Sequence, residues 1–195
     1  MEDLSEILRT GIRASISAKQ QMLDGSRIVD SLAKVINKVV DVYGKDGKVL
    51  FCGNGGSAAD AQHLAAELSG RYYFDRPPLN AEAMHVNTSY LTAVANDYSY
   101  EEVYARYLRG VGQKGDVLMA FSTSGNSCNV VRAIEVAKEM GIFVVGFTGD
   151  KQGEMDGLCD IILKAPSKDT ARIQECHIML GHLICEQVES QLFKS

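Results

Sequence analysis

The sequence predicts an α/β fold in which helices cover both faces of a parallel sheet. Short apolar runs alternate with helical stretches along the chain, which is typical of parallel strands buried on both faces. The five runs are residues 49–52, 81–86, 117–121, 142–147 and 161–163. The chain has 195 residues, 46% of them hydrophobic, so one domain over residues 1–195 is expected.

Two helices are predicted before the first strand, between residues 3 and 44. Apolar residues recur there at helical spacing, and Gly25 separates the two stretches. Their apolar faces can be buried on the sheet or on another subunit. The length of the pair favours a role of residues 1–44 in oligomerisation.

Helices are also predicted between the strands and after the last one. Their ranges are residues 58–69, 89–95 with 100–108, 130–140 and 170–193. In open parallel sheets, ligands bind beyond the carboxyl ends of the strands. The loops after the first and third strands are therefore the expected place for a site.

The composition excludes several classes of partner. The net charge is -5 and no basic run is present, so a nucleic-acid surface is not expected. The N-terminus lacks the features of a signal peptide, and no apolar stretch is long enough to cross a bilayer. The five cysteines form no C-x-x-C pair, which favours a reducing compartment. A cytoplasmic protein is expected.

A glycine-rich turn follows the first predicted strand. Gly53, Gly55 and Gly56 allow the backbone to approach a ligand, and Ser57 opens a helix whose free N–H groups attract anions. The spacing also fits a degenerate dinucleotide fingerprint, but residues 86–88 supply no carboxylate for a ribose. An anion site is favoured over a nicotinamide site, and a turn without a ligand is the remaining alternative.

A hydroxyl-rich turn follows the third predicted strand and precedes another helix. It contains Ser122, Thr123, Ser124 and Ser127. It has no lysine, so it is not a Walker-type loop. Capping the helix would need only one of these hydroxyls, and four of them favour a phosphate monoester carried by a sugar.

Two helices carry histidine, carboxylate and amide side chains at helical spacing. His63 and Glu67 are four residues apart and share a helix face. On the last helix, Gln174 and His182 project to broadly the same side, and His177 shares part of that face. The spacing indicates a metal site or an acid–base pair, whereas a single histidine on an apolar helix face is more often a core residue.

These motifs resemble those of the phosphoheptose (sedoheptulose 7-phosphate) isomerases of the sugar isomerase (SIS) superfamily. The resemblance is carried by residues 52–63, 95–97, 122–127 and 172–177 and by His182, in order and at family spacing. It implies a three-layer sandwich with a five-stranded parallel sheet, the flavodoxin-like SIS fold. It also implies a homotetramer with active sites at subunit contacts.

The resemblance further implies conversion of sedoheptulose 7-phosphate to D-glycero-D-manno-heptose 7-phosphate in bacterial heptose biosynthesis, for lipopolysaccharide or capsule precursors. The residues that match phosphate ligands are Ser57, Ser122, Thr123, Ser124 and Ser127. Those that match the rest of the substrate site are Asn54, Gly55, Gly56, Glu67, Asn96, Asp97 and Gln174. Those that match the ligands of one zinc ion per subunit are His63, Glu67, Gln174 and His182.

Glu67 and His182 match the proposed acid–base pair, with Glu67 as the base in an enediol mechanism. A metal-bound carboxylate is a weaker base, and glutamine is an unusual zinc ligand, so Glu67 can be expected to move between metal and substrate. Some members carry an Asp directly before the Arg-Ile-Gln segment, where this chain has Ala171, and Asp169 lies two residues earlier.

A non-catalytic relative provides the alternative function. The bacterial protein that associates with the replication initiator has similar loops but lacks the carboxylate matching Glu67 and the histidine matching His182. This chain has both residues. An enzyme is therefore favoured over a scaffold or a sugar-phosphate sensor.

Overall fold

The structure is a computed structural model that describes residues 3–194. Its strands are β1 (Val49–Gly53), β2 (Ala81–Ala83), β3 (Val117–Phe121), β4 (Phe143–Thr148) and β5 (Ile161–Lys164). Its α-helices are α1 (Leu4–Asp24), α2 (Ser26–Tyr43), α3 (Gly56–Ser69), α4 (Thr88–Asp97), α5 (Val103–Val111), α6 (Cys128–Glu139) and α7 (Thr170–Phe193). Short 3-10 helices occupy Tyr100–Glu102 and Glu154–Gly157.

The five strands form one parallel sheet in the order β2-β1-β3-β4-β5. The predicted sheet is therefore confirmed. In this order the chain changes direction between β1 and β3, which opens a crevice at their carboxyl ends. Gly53 at the end of β1 pairs with Phe121 at the end of β3, so the glycine-rich and hydroxyl-rich turns leave the sheet side by side.

Alternate residues of each central strand face two separate hydrophobic cores. Val49 and Phe51 face the core shared with α1, α2, α3 and α7. Leu50 and Cys52 face the core shared with α4, α5 and α6. Burying a large apolar side chain contributes roughly 1.5–3 kcal/mol, so both faces stabilise the sheet. The arrangement has three layers, as the resemblance implies.

The prediction for β2 was too long. The strand ends at Ala83 rather than at residue 86, and the chain then turns, with the Val86 N–H donating to the Ala83 carbonyl at 3.4 Å. Asn87 begins α4 by accepting a hydrogen bond from the Tyr90 N–H. The turn at residues 84–85 therefore ends the extended conformation before residue 86.

Helix α1 is only partly buried by the rest of the subunit. Ala18 and Met22 pack into the core, and the Arg172 guanidinium on α7 donates to the Gly11 carbonyl at 2.7 Å. An apolar stripe beside this contact remains exposed, made by Leu4, Leu8, Ile12 and Ile16. Within residues 3–194, no helix is both long enough and apolar enough to span a membrane.

Candidate functional site

The glycine-rich turn between β1 and α3 requires glycine at two positions. A Cβ atom at Gly53 would lie 2.6 Å from the Ser57 carbonyl oxygen, and Gly55 has a φ of 57°. Other residues would clash or be strained there. Gly56 lies against the amide end of the Gln174 side chain, 2.5 Å from where a Cβ atom would be.

The serine and threonine residues after β3, here called the serine loop (residues 122–127), bring their hydroxyls together. The Ser122 Oγ lies 2.9 Å from the Ser127 Oγ and 3.3 Å from the Ser124 Oγ. Ser127 precedes α6 at the N-cap position, yet its side chain makes no capping hydrogen bond to the helix. Because Ser127 faces Ser122 instead, simple helix capping does not account for it.

Ser57 lies in the first turn of α3 and is buried beside the end of β1. Thr123 and Ser124 line a small cavity of about 150 Å³ together with Lys151 and Lys168. Asp150 lines the same cavity, so the two lysines leave a net charge of about +1 next to the serine loop, which favours an anion there. Neither lysine was among the predicted site residues, because neither belongs to a motif.

His63, Glu67 and His182 form a compact cluster at the other end of α3. The His63 Nε2 lies 3.0 Å from the Glu67 Oε1 and 3.5 Å from the His182 Nε2. One donor atom from each of the three residues lies within 4.8 Å of the others. The side chains of His63 and Glu67 remain 51% and 25% exposed, so a ligand can reach them.

This donor set fits a zinc ion. Ligand atoms about 2 Å from a tetrahedral zinc ion are about 3.4 Å apart, and two imidazoles with one carboxylate are ligands that zinc accepts. The cluster supplies three such donors at separations of this order. Three protein ligands leave a position open, which is the arrangement of catalytic rather than structural zinc sites.

Gln174, the fourth predicted zinc ligand, lies at the opposite end of the same helix pair. Helices α3 and α7 run side by side, with Gly56 against Gln174 and Leu64 against Gly181. Eight residues separate Gln174 from His182, which is about 12 Å along the helix. Its amide therefore faces the glycine-rich turn, and its part in a metal site stays a prediction.

Asn96 and Asp97 end α4 and are exposed to solvent. The Asn96 amide donates to the Asp97 carboxylate at 2.9 Å. Among residues 3–194, no hydrogen bond joins either side chain to the glycine-rich turn or the serine loop. Their predicted contact with the sugar remains untested.

A buried ion pair holds the end of α3 on which Glu67 is carried. Arg76 and Glu189 are 2.9 Å apart, with side chains 1% and 0% exposed. Arg76 also donates to the carbonyls of Glu67 and Leu68 at 2.9 and 2.7 Å. The Glu189 carboxylate accepts three backbone N–H groups, from Tyr72, Tyr73 and Phe74.

These contacts keep Glu189 charged inside the protein. Burial disfavours its ionisation, but the backbone N–H groups and Arg76 outweigh burial and hold its pKa below the usual range. Glu189 lies on α7 two turns after His182. The pair therefore ties the helix that carries Glu67 to the helix that carries His182.

His177 belongs to the core rather than to the cluster. Its Nε2 lies 3.1 Å from the Thr148 carbonyl oxygen, and its ring packs on Phe121 and Phe147. Burial lowers the pKa of His177 to about 4, so the ring is neutral at physiological pH. Of the two roles that the sequence left open, site and core, the structure supports the core.

Asp60, on the helix that carries His63 and Glu67, was not among the predicted site residues. It lies on α3 between Ser57 and His63, and its Oδ2 is buried without a hydrogen-bond partner among the described residues. Burial raises the pKa of Asp60 to about 6, against the opposing charge of His63. Its position one turn before His63 was visible in the sequence, but its burial was not.

Comparison with known proteins gives consistent matches. The family model described as the SIS domain matches residues 17–149. A relative from Aneurinibacillus thermoaerophilus described as a phosphoheptose isomerase is 45% identical over 192 residues, covering 98% of this chain and 97% of its own. One of the same description from Mycobacterium bovis (strain BCG / Pasteur 1173P2) is 49% identical over 179 residues, covering 92% and 91%.

The fold matches solved structures equally well. The structure of a phosphoheptose isomerase from Neisseria gonorrhoeae superimposes with a TM-score of 0.90 and 40% identity. That match covers 96% of this chain and 100% of the other.

Proposed function

The chain belongs to the phosphoheptose isomerases of the SIS domain family, and on that basis we propose that it converts sedoheptulose 7-phosphate to D-glycero-D-manno-heptose 7-phosphate through an enediol. It is an isomerase of heptose biosynthesis. The observation that supports the chemistry most directly is the cluster of His63, Glu67 and His182, whose donor atoms lie within 4.8 Å of one another.

The phosphate group of the sugar binds at the crevice between β1 and β3. Ser122, Ser124 and Ser127 present converging hydroxyls there, and Thr123 adds a fourth. The backbone N–H groups at the start of α3, where Ser57 lies, attract the same anion. The phosphate thus anchors the open-chain sugar and orients its carbonyl end towards the far end of α3.

The proton transfer between adjacent carbons uses two groups on different helices. Glu67 takes the proton from carbon, and His182 protonates and deprotonates the sugar oxygens. Their helices are held together by the packing of Leu64 against Gly181. The 3.0 Å contact between His63 and Glu67 orients the carboxylate without burying it.

A zinc ion, one per subunit, would be held by His63, Glu67 and His182. The resemblance adds Gln174 as a fourth ligand, which would have to come from another subunit, because Gln174 of the same chain lies about 12 Å from His182 along α7. When bound, the ion would polarise the carbonyl of the sugar and offset the negative charge that develops on its oxygens. Glu67 then has to leave the metal or share it, because a coordinated carboxylate is a poorer base.

The second candidate function is binding without catalysis, as in a scaffold or a sugar-phosphate sensor. The same two loops would hold the ligand in such a protein. The cluster argues against it, because a sensor does not need a carboxylate and two imidazoles at the carbonyl end of the sugar. The relatives that are similar over the whole chain are described as isomerases.

Incubation with sedoheptulose 7-phosphate tests the activity directly. We expect NMR spectra of the zinc-loaded protein to show the aldose product and, in deuterated water, deuterium at the carbon that exchanges its proton. Dialysis against a chelator should lower turnover at least about a hundredfold, because one Lewis acid contributes several kcal/mol. Zinc added back should restore it.

Two outcomes would contradict this proposal in different ways. Sugar that binds and is recovered unchanged would identify a sensor. Full turnover by protein without bound metal would leave the enzyme assignment intact and assign His63 to an acid–base or structural role.

We also propose that residues 1–195 form one domain that assembles as a homotetramer, with residues 1–44 in the contacts. Support comes from α1, where Leu4, Leu8, Ile12 and Ile16 are between 60% and 67% exposed. An apolar groove of about 300 Å³ continues this surface, lined by Met22, Leu23, Val29 and Leu183 among others. A second copy of the chain would cover both, since such patches are rare on monomers.

Sedimentation equilibrium measures the assembly. Wild-type protein should sediment at four times the mass of one chain, and the variant Ile12→Glu should sediment at a smaller mass, because a charge at a buried contact is strongly unfavourable. Replacing Lys34, an exposed residue of α2, with Glu is the control and should leave the mass unchanged. A wild-type monomer at micromolar concentration would disprove the proposed tetramer.

The proposed location is the cytoplasm. The five cysteines are free thiols, which is the usual state in a reducing compartment. Burial raises the pKa of Cys52 and Cys185, so these two thiols are protonated and unreactive. Fractionation of cells that express the protein would locate it, and recovery in a secreted fraction would contradict the proposal.

A further inference from the structure

We propose that Asn129 is a positioning residue that fixes the glycine-rich turn relative to the serine loop, acting through Asn54. The inference rests on the proposed function, in which one phosphate group contacts both loops. The side chains of Asn54 and Asn129, with the hydroxyl of Tyr100, are called the amide bridge below.

The amide bridge joins parts of the chain that are 75 residues apart. The Asn54 Nδ2 donates to the Asn129 Oδ1 at 2.8 Å, and the Asn129 Nδ2 donates to the Asn54 Oδ1 at 2.9 Å. Asn54 lies between two glycines of the turn, and Asn129 lies in the first turn of α6, two residues after Ser127. The bridge therefore links the glycine-rich turn to the start of α6, directly after the serine loop.

The bonding capacity of Asn54 is almost used up by these contacts. Its Oδ1 also accepts from the Tyr100 hydroxyl at 3.1 Å, so both lone pairs of the oxygen are engaged. A single N–H remains on its Nδ2. We infer that Asn54 serves the substrate mainly through the backbone of the turn, which the bridge holds in place.

Asn129 is suited to this role by burial and by chemistry. It is 3% exposed, and a buried amide that loses its partner costs about 1–3 kcal/mol. Only a residue with one donor and one acceptor in this geometry can pair reciprocally with Asn54. Among residues 3–194, the bridge supplies the only side-chain hydrogen bonds between the turn and residues 122–130.

Loss of the bridge should affect binding of the phosphate more than the chemical step. The phosphate is held in the ground state and in the transition state alike, and removing such uniform binding raises KM and leaves kcat unchanged. The His63, Glu67 and His182 cluster lies two to three turns away along α3. It is not part of the bridge and should keep its geometry.

The variants Asn129→Asp and Asn129→Ala test the inference. Asn129→Asp keeps the shape but sets an oxygen against the Asn54 Oδ1, and Asn129→Ala removes the partner without repulsion. We expect KM for sedoheptulose 7-phosphate and the Kd for inorganic phosphate, measured by calorimetry, to rise about tenfold in both, which corresponds to one lost buried hydrogen bond. The value of kcat should stay within about twofold of wild type.

Cys128→Ser is the matched control, because Cys128 is the exposed neighbour of Asn129 on α6. It should leave both constants unchanged. A double-mutant cycle with Asn54→Ala tests whether Asn129 acts through Asn54. If it does, the double variant Asn54→Ala/Asn129→Ala should bind phosphate no more weakly than the weaker-binding single variant.

If the Asn129→Ala protein folds with a lowered Tm but binds phosphate as tightly as wild type, Asn129 has only a packing role. That result would overturn the inference. So would additive losses in the double variant, or a fall in kcat at unchanged KM. The phosphate titration does not require turnover. A protein that binds phosphate through the bridge but leaves the heptose unchanged would therefore contradict the proposed function alone.

Discussion

Replacing Glu67 with glutamine is expected to lower kcat for sedoheptulose 7-phosphate by about a thousandfold, since general base catalysis contributes 10²–10⁴-fold. Glutamine has nearly the same shape, but its amide cannot take a proton from carbon. The Glu67 backbone carbonyl is held by Arg76 at 2.9 Å whatever its side chain. The helix and the anion-binding loops should therefore keep their structure.

The measurements for Glu67→Gln separate catalysis from folding and from metal binding. The Kd for inorganic phosphate and the Tm should match wild type, and activity should be assayed with saturating zinc so that weakened coordination does not limit it. Glu139→Gln, at an exposed carboxylate at the end of α6, is the control and should retain full activity. Turnover within tenfold of wild type would remove Glu67 from the mechanism.

Replacing Glu189 with glutamine is expected to lower the free energy of unfolding by about 3–5 kcal/mol, the cost of breaking a buried ion pair from one side. Arg76 would remain buried without a counter-charge, and the N–H groups of Tyr72, Tyr73 and Phe74 would share one oxygen instead of two. For a chain of this length, such a loss corresponds to a fall in Tm of roughly 10 °C. Urea denaturation followed by circular dichroism measures it.

Two comparisons identify the cause of that instability. Glu186→Gln, one turn earlier on α7 and without a buried partner, should change stability by less than about 0.5 kcal/mol. The double variant Arg76→Met/Glu189→Gln should be more stable than Glu189→Gln alone, because it removes the unpaired charge of Arg76 and keeps one oxygen to accept from the backbone N–H groups. A loss below 1 kcal/mol in Glu189→Gln would mean that the pair contributes little to the fold.

The sequence predicted the parallel sheet and the positions of the glycine-rich and hydroxyl-rich turns because both depend on local patterns; anion binding by these turns stays a prediction. Apolar runs of four and five residues mark β1 and β3, and the glycines and hydroxyls of the two turns follow these runs directly in the chain. The end of β2 was misjudged because Val86 continues the apolar pattern although the chain turns at residues 84–85. Helical spacing likewise paired His63 with Glu67 on one face.

The remaining parts of the site depend on which helices pack together. The spacing of apolar residues predicts where helices lie in the chain but not which helices are in contact. His182 joins His63 only because Gly181 allows close contact between α7 and Leu64. Arg76 and Glu189 are 113 residues apart, and each would be taken for a surface charge in the sequence. The resemblance to a family supplied the ligand roles, but the family pattern does not describe the Asn129 contact.

Helix α3 carries Ser57, a proposed phosphate ligand, at its start and Glu67 near its end, ten residues later. Inserting one residue between them would lengthen that distance by about 1.5 Å but would also rotate Glu67 by about 100° away from His182. Only the insertion of a whole helical turn, about 5.4 Å, would keep Glu67 facing His182. In the proposed binding mode, the distance between the phosphate site and Glu67 can therefore change only in steps of a helical turn. Any finer adjustment to substrate size has to occur in the two loops proposed to hold the phosphate.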